Sequence, residues 1–575
     1  MLDMVLRGGT VVDGSGSPAA VADVGIVGDR IVAVGSVDEP AERTIDVDGS
    51  VVCPGFIDLH THYDAQFLWD DTANPSSLHG VTTVIGGNCG FSIAPLARGD
   101  ADYIQRMMAV VEGIPLSALA SSGQWDWTSF GEYLARIDRG LAVNAGFLVG
   151  HSAVRRAVMG DDATRAEAAP AQLAAMVALV GSSLADGALG FSSSLGEGHT
   201  DGDGRPVPSR AAAFEEFVAL AGSLRGHPGT TLEFIPTVGP IPDARMQLMA
   251  EMSLAADRPL NWNLLGSLAS EEIFAQQLRA SDVAAAQGAH VIALTLPDLM
   301  RMRASTLLPG LPGWGEVVGS DAATRRATVA DPDARARLRA GAERASERSL
   351  GVLDDFALME VGDAGSAWAG RSLAEIAAVR GTDVIDVLLD VVLVEALTLY
   401  VVLPSLTPSL GRSDEGWQAR VEVWKDPRVM LGGSDAGAHL DLMCHANYPT
   451  VVLGEVVRQR GLLSVEQAVE MMTDRPARHY GLAQRGRVAP GWIADLVVFD
   501  PHEVGSGLTE VRRDLPGGGE RLCAASRGIA HVFVGGREVI TDGADTGERP
   551  GRVLRSGHDT ETVTLPAVRR SRRRR

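Results

Sequence analysis

The sequence predicts an α/β protein in which a (β/α)8 barrel of the TIM type is joined to a small β-sandwich built from both chain ends. Apolar runs of β character begin near residues 55, 81, 143, 187, 230, 259, 290 and 429, and Ala- and Leu-rich segments separate them. Such alternation implies a parallel sheet, and eight repeats close a barrel. Short β-rich runs with Gly and Asp turns fill the first 50 residues and return at 486–500 and 528–540, so the two ends are expected to meet.

These patterns divide the chain into three parts. Residues 1–53 and 481–545 are expected to form the composite sandwich, and residues 54–480 the barrel. The stretch 296–427, between the seventh and eighth strands, is far longer than an ordinary loop, so it must contain structure of its own, such as a lid. Residues 546–575 form a C-terminal extension whose Arg-rich tail is expected to be solvated.

Charge and composition restrict the partners and the cellular compartment that can be expected for this protein. The 575 residues have a formal net charge of -22, which argues against nucleic acid or an anionic membrane as the main partner. Four cysteines without regular spacing favour a reducing compartment, and the N-terminus lacks the pattern of a signal peptide. We therefore expect a cytoplasmic protein that acts on a small molecule and associates as a homo-oligomer.

Polar residues follow the ends of the predicted strands, where a barrel of this type places its chemistry. The candidates for metal binding and catalysis are His60, His62, Cys89, Glu233 and Asp435, and the five candidates for substrate contact are His151, His199, Arg205, Asn263 and His439. Three other histidines, His79, His227 and His290, precede strands instead and are expected at the opposite, stabilising face.

His60 and His62 end the first barrel strand in the stretch PGFIDLHTHYD. Side chains two residues apart in an extended chain point the same way, so the two imidazoles can hold one metal ion. Two imidazoles with a carboxylate or a thiolate are a ligand set that zinc favours in a catalytic site with one open position. The alternative is that both are solvent-facing residues at a strand end.

The motifs along the chain resemble those of the amidohydrolase superfamily and, within it, of the D-aminoacylase group, the N-acyl-D-amino-acid deacylases. The motifs are PGFIDLHTHYD, GVTTVIGGNCGFS, GHSAVRR, GALGFSSSL, GGSDAGAH and GRVAPGWIADLVVFD. The resemblance implies a metal-bearing barrel of the amidohydrolase type and hydrolysis of an amide C–N bond by metal-activated water. In that family, a late-strand aspartate, here Asp435, is the general base and then the general acid.

Cys89 is the metal ligand that the resemblance implies at the end of strand two. Many relatives bridge two metals with a carboxylated lysine, but the single lysine here, Lys425, precedes strand eight, which excludes that role. The alternative for Cys89 is a small buried hydrophobe. The alternative for Asp435 is a helix N-cap in SDAGAH, a role that is compatible with catalysis.

The resemblance fails at strands five and six. D-aminoacylases supply a histidine from each of these strands, whereas this chain offers Glu233 and either Asn261 or Asn263. Asparagine is a poor zinc ligand and more readily hydrogen-bonds a substrate or a ligand. We therefore expect a divalent metal, zinc in the first instance and one or two ions, held chiefly by His60, His62, Cys89 and Asp435, with Glu233 as a further ligand.

Two rival functions stay open from the sequence. The same chemistry serves hydrolysis of a cyclic amide, a urea or a carbamate. An alternative of another class is a non-catalytic barrel that serves assembly or binding. The absence of the two histidines from strands five and six would agree with it. Retention of His60, His62 and Asp435 speaks against it.

Overall fold

The structure is a computed structural model that describes residues 1–265, 271–303, 305, 308–348, 357–359, 368, 371–393, 400–403 and 414–565. Its strands are β1 (Leu2–Val11), β2 (Ala20–Val27), β3 (Arg30–Gly35), β4 (Ala41–Asp46), β5 (Val51–Pro54), β6 (Phe56–Asp58), β7 (Val81–Gly86), β8 (Asn144–Phe147), β9 (Val149–Gly150), β10 (Gly190–Ser194), β11 (Thr231–Ile235), β12 (Leu260–Trp262), β13 (Val291–Thr295), β14 (Met300–Arg303), β15 (Ala357–Met359), β16 (Tyr400–Leu403), β17 (Val429–Leu431), β18 (Leu496–Phe499), β19 (Gly505–Arg512), β20 (Arg521–Arg527), β21 (Ile529–Val534), β22 (Arg537–Thr541) and β23 (Ala544–Asp545).

The α-helices lie mostly between the strands of the middle of the chain. They are α1 (Ala101–Val111), α2 (Leu116–Ser121), α3 (Phe130–Ile137), α4 (His151–Met159), α5 (Pro170–Ala185), α6 (Phe214–Gly222), α7 (Asp243–Ala256), α8 (Glu271–Gln287), α9 (Gly315–Val318), α10 (Ala322–Ala330), α11 (Pro332–Arg348), α12 (Leu373–Arg380), α13 (Val384–Val387), α14 (Asp414–Lys425), α15 (Tyr448–Val451), α16 (Val465–Met472) and α17 (Asp474–Tyr480). None of the described helices is long and apolar enough to cross a membrane.

Parallel pairing runs through the middle of the chain in sequence order. Strands β6, β7 and β8 pair side by side, and β9 to β13 and then β17 form a second parallel series. Only Leu148 separates β8 from β9, and a parallel bridge joins Thr61, after β6, to Ala436, after β17. Each of the eight predicted β-runs contains one of these strands, and their carboxyl ends lie on the same side.

The strands of this series are largely buried on both faces, which explains why β7, VTTVIG, is a mostly apolar run without alternation. All residues of β10, GFSSS, are buried as well, although three of them are serines. Local sequence features determine where the surrounding helices begin. Ser129 and Glu132 form a reciprocal capping box at the start of α3, and Pro170 occupies the first turn of α5.

The two chain ends share one nine-stranded sheet. Its order is β23-β22-β21-β18-β5-β1-β2-β3, and β4 also pairs with β1, in parallel. Strand β5 pairs parallel with β1 and antiparallel with β18. Val24 and Ile31 from the N-terminal part pack in one core with Leu496, Val498 and Phe533 from the C-terminal part.

The stretch 296–427 has structure of its own in the residues that are described. Strands β14, β16 and β15 form a small antiparallel sheet, and α9 to α14 lie in the same stretch. A second hydrophobic core there includes Trp314, Leu338 and Leu389. Farther on, bridges from Gly551 to Leu141 and from Thr560 to Leu482 lay the C-terminal extension against the parallel strands. The predicted Arg-rich tail falls on 566–575, outside the described residues.

Candidate active site

Four potential metal-binding atoms from three separate parts of the chain converge at the ends of the parallel strands. The His60 Nε2 atom lies 3.3 Å from Cys89 Sγ and 3.1 Å from Asp435 Oδ1. The His62 Nε2 atom lies 3.8 Å from the same sulfur and 3.7 Å from the same oxygen. Donor atoms of His60, His62 and Cys89 all lie within 4.8 Å of one another.

The donor atoms of His60, His62 and Cys89 are close enough to one another to share one divalent ion, and Asp435 Oδ1 lies beside the two imidazoles. Zinc binds imidazole nitrogen, carboxylate oxygen and thiolate sulfur at about 2.0–2.3 Å, so neighbouring ligands of a tetrahedral site stand about 3.3–3.8 Å apart. The four separations above cover nearly the same range. Two imidazoles, one thiolate and one carboxylate are also the donor chemistry that such an ion prefers, so His60, His62, Cys89 and Asp435 could hold one.

A left-handed turn after β7 presents the Cys89 sulfur. Gly87 has φ +73°, and a Cβ atom there would lie 2.1 Å from the carbonyl oxygen of Leu148, so only glycine fits. Cys89 itself has φ 58°. Its backbone N–H donates to Glu233 Oε2 at 2.9 Å, and the next N–H, of Gly90, donates to Ser192 Oγ at 3.0 Å.

Asp435 is presented by a second loop that relies on positive φ angles. After β17, Gly433 has φ 74° and Asp435 has φ 51°, a conformation that Asp tolerates better than most residues. The Asp435 N–H donates to the His60 carbonyl at 3.2 Å. Burial alone raises the pKa of the Asp435 carboxyl, but hydrogen bonds and charge from His60 and His62 outweigh it and hold that pKa well below its usual range.

Glu233, the expected further ligand, lies behind the donor atoms, beside the Cys89 backbone and His60 Nδ1. One of its oxygens accepts the Cys89 N–H, and the other lies 3.9 Å from His60 Nδ1, on the ring edge that faces away from Cys89 and Asp435. The Asn263 amide bridges this region, with its Nδ2 atom 2.6 Å from His60 Nδ1 and 2.5 Å from Glu233 Oε1. Burial raises the pKa of Glu233 to about 8. Glu233 is therefore placed to support two of the candidate ligands, His60 and Cys89.

Glu112 stands at this site without having been predicted from the sequence. It directly follows α1, is 2 % exposed, and has its Oε1 atom 3.4 Å from His62 Nδ1. Burial lowers the pKa of His62, but the charge of Glu112 and contact with Asp435 prevail and raise it to about 9. One signal was available in the sequence, because an acid at a helix C-terminus is electrostatically unfavourable and needs another reason to be there.

A pocket of about 110 Å³ opens over the donor atoms, and three of the five predicted substrate residues line it: His199, Asn263 and His439. The apolar part of its wall includes Val111, Ile235 and Leu264. His199 Nδ1 is 2.9 Å from Ser194 Oγ, and burial lowers the pKa of His199 to about 4. The His199 imidazole is therefore neutral at pH 7.

His151 and Arg205, the other two substrate candidates, do not line this pocket. His151 is fully buried, with one ring nitrogen 2.8 Å from Ser193 Oγ and the other 2.7 Å from Glu216 Oε1. Arg205 is half-exposed and lies 3.8 Å from Asp203. Both follow strands of the parallel series, but the His151 side chain turns into the packing behind the strand, and the Arg205 side chain lies in a surface loop.

Comparison with known proteins agrees with this geometry. The sequence profile of the amidohydrolase family matches residues 43–540. D-aminoacylase of Alcaligenes xylosoxydans xylosoxydans is 31 % identical over 572 residues, which cover 96 % of this chain and 97 % of that protein. N-acyl-D-aspartate deacylase of the same organism is 30 % identical, over 96 % and 95 % of the two chains.

Solved structures give the same result. A crystal structure of a D-aminoacylase matches with a TM-score of 0.63 and 30 % identity, over 96 % of this chain and all of that one. N-acyl-D-glutamate deacylase from Bordetella bronchiseptica, complexed with zinc and a phosphonate inhibitor, matches with a TM-score of 0.61 and 26 % identity over the same shares. The matched profile and the near-complete coverage lead to one conclusion: this chain belongs to the amidohydrolase family.

Proposed function

We propose that this protein is a metal-dependent hydrolase that cleaves the amide C–N bond of N-acyl-D-amino acids. The observation that carries the proposal is the convergence of His60, His62, Cys89 and Asp435 beneath one pocket. It is joined by the near full-length similarity to D-aminoacylase and to deacylases of N-acyl-D-aspartate and N-acyl-D-glutamate.

The proposed cofactor is one zinc ion held by those four residues. Zinc is present in the solved N-acyl-D-glutamate deacylase, and a solved D-aminoacylase is described as having a binuclear centre activated by one metal. A divalent ion in this position supplies a Lewis acid for the scissile carbonyl and lowers the pKa of water. We assign Glu233 and Asn263 to the support of His60 and Cys89, because their polar atoms lie behind these ligands.

Asp435 is the proposed general base and acid. Its carboxylate is ionised at neutral pH and faces the pocket, so it can accept a proton from the attacking water and then donate it to the departing nitrogen. His199 is the proposed substrate contact opposite it, since a neutral imidazole at the pocket wall can donate one hydrogen bond to a substrate oxygen. His439 and Asn263 complete the proposed polar lining.

We propose that the parallel strands from β6 to β17 form one closed (β/α)8 barrel over residues 54–480, with 296–427 inserted before its last strand. The pairing order and the bridge between Thr61 and Ala436 support closure. The shared sheet of the two chain ends supports a composite domain of residues 1–53 and 481–545, followed by the extension 546–575. Four free cysteines support a cytoplasmic location.

A substrate panel with metal analysis tests the function. The purified full-length chain is assayed for bound metal by elemental analysis and then against N-acyl-D-amino acids, their L-enantiomers, ureas and cyclic imides. We expect about one equivalent of a transition metal, hydrolysis of the D-amino-acid derivatives, and loss of activity on chelation that added Zn²⁺ reverses. Metal-free protein with full activity would refute the metal chemistry, and turnover of only ureas or cyclic imides would move the protein to that substrate class.

A further inference from the structure

We propose that Glu112 is a positioning residue of the metal centre: its carboxylate accepts a hydrogen bond from His62 Nδ1 and so holds His62 with Nε2 directed at the metal. The inference rests on the proposed function, because it concerns how one ligand of that site is oriented. It assigns a role to a residue outside the sequence motifs discussed above, at the end of a helix.

The geometry of the His62 ring sets the roles of its two nitrogens. Nε2 faces Cys89 and Asp435, at 3.8 and 3.7 Å, so this nitrogen is the one available to a metal. A neutral imidazole that ligates through one nitrogen has its proton on the other and needs an acceptor for it. Glu112 Oε1, at 3.4 Å from Nδ1, is a carboxylate in the required direction.

The surroundings make Glu112 the acceptor that His62 has available. His62 is 1 % exposed, and within the described part of the chain its Nδ1 atom has no hydrogen bond of ordinary length. The 3.4 Å contact is a loose one that closes on a shift of a few tenths of an ångström, well within side-chain adjustment. Without an acceptor, the Nδ1 proton would be buried and unsatisfied, which destabilises this orientation of the ring.

The position of Glu112 is costly by itself, which indicates a role beyond packing. A carboxylate buried at 2 % exposure is destabilising unless it is paired, and at the C-terminal end of α1 it also faces the negative end of the helix dipole. His62 is the cation or proton donor that it meets. The Glu112 backbone carbonyl also accepts the His439 N–H, which ties the end of α1 to the loop that presents Asp435.

The two histidine ligands differ in this respect. His60 Nδ1 faces the Asn263 amide at 2.6 Å, and the Glu233 carboxylate is farther away at 3.9 Å. At His62 Nδ1, the ion-pair partner among the described residues is the Glu112 carboxylate, at 3.4 Å. Removing the Glu112 charge should therefore weaken metal binding through His62, while the His60 side of the site stays as it is.

The test compares metal affinity in three full-length variants. Glu112→Gln removes the charge and keeps the size, Glu112→Asp keeps the charge and shortens the side chain, and Glu215→Gln removes the same charge from an exposed position of α6. After metal depletion, the dissociation constant for Zn²⁺ is measured by chelator competition, and the visible spectrum of the Co²⁺-loaded protein reports ligand geometry. Thermal unfolding of the metal-free proteins checks that each variant is folded.

We expect Glu112→Gln to bind Zn²⁺ about 10- to 100-fold more weakly than the wild type and to alter the Co²⁺ spectrum, with Glu112→Asp in between and Glu215→Gln unchanged. Equal Zn²⁺ affinity in Glu112→Gln and the wild type would overturn this inference alone. A wild-type chain that binds no Zn²⁺ would overturn the proposed function as well. If Glu112→Gln does not fold, Glu112→Asp decides the outcome by the same two measurements.

Discussion

Replacing Asp435 with asparagine should abolish turnover while leaving the metal in place. Asparagine has nearly the shape of aspartate and tolerates the left-handed backbone of this position, where φ is 51°. The substitution therefore changes the chemistry of the side chain without straining the loop. His60, His62 and Cys89, whose donor atoms lie within 4.8 Å of one another, remain to hold an ion.

The size of the loss follows from the role assigned to the carboxylate. A positioned general base or acid contributes about 10²- to 10⁴-fold, and Asp435 is proposed to act as both in turn, so we expect kcat to fall by at least 10³-fold. That fall corresponds to about 4 kcal/mol of activation free energy. KM should change much less, because Asp435 contacts the reacting water more than the rest of the substrate.

The assay measures kcat, KM and bound metal on the same preparations. Asp257→Asn is the matched control, since Asp257 has a similar φ of 57° at the end of α7 and does not line the pocket. The control should behave as the wild type. An Asp435→Asn variant with intact metal and a kcat within threefold of wild type would remove Asp435 from the mechanism.

Three further predictions concern the ligands, the core and the substrate. Cys89→Ser should weaken Zn²⁺ binding at least tenfold in chelator competition, because a hydroxyl replaces a thiolate; unchanged affinity would make Cys89 a packing residue. Burial lowers the pKa of His79 to about 4 from an unfolded value near 6.5, so its contribution to stability is complete above pH 6.5 and is lost as the pH falls toward 4, by up to about 3 kcal/mol. Denaturant unfolding should show this acid loss in the wild type and a shallower one in His79→Gln. Because Val111, Ile235 and Leu264 line the pocket beside acidic groups, kcat/KM should be about tenfold or more higher for N-acetyl-D-leucine than for N-acetyl-D-aspartate, and a preference for the acidic substrate would contradict this view of the wall.

The positions of the strands and of the candidate metal-binding side chains could be predicted from the sequence for the same physical reason. Parallel strands buried on both faces appear as apolar runs, and polar residues directly after such runs stand at one rim. His60, His62, Cys89 and Asp435 all follow runs of this kind, and their donor atoms lie close together in the structure. Position along a strand was therefore enough to predict that these four side chains lie close together, and their role as metal ligands stays a prediction.

The direction in which a side chain after a strand points could not be predicted from the sequence in the same way. His151 begins α4 and turns toward Glu216, and Arg205 turns to solvent, although both follow strands as the residues of the donor cluster do. Glu112 approaches His62 from the end of a helix, so its proximity depends on the packing of α1 over the strands. Contacts of this kind are set by tertiary packing, which no local pattern records.

The sheet shared by the two chain ends cannot be completed until the last strands of the chain have been synthesised. Strand β5 has β1 on one side, but its other neighbour, β18, is made more than 400 residues later, counted from Pro54 to Leu496. Until then one edge of β5 offers unpaired backbone groups, which attract other chains. Nascent or truncated chains that stop before residue 496 should therefore aggregate even when their helices and earlier strands have formed, and chaperones should matter most during this interval.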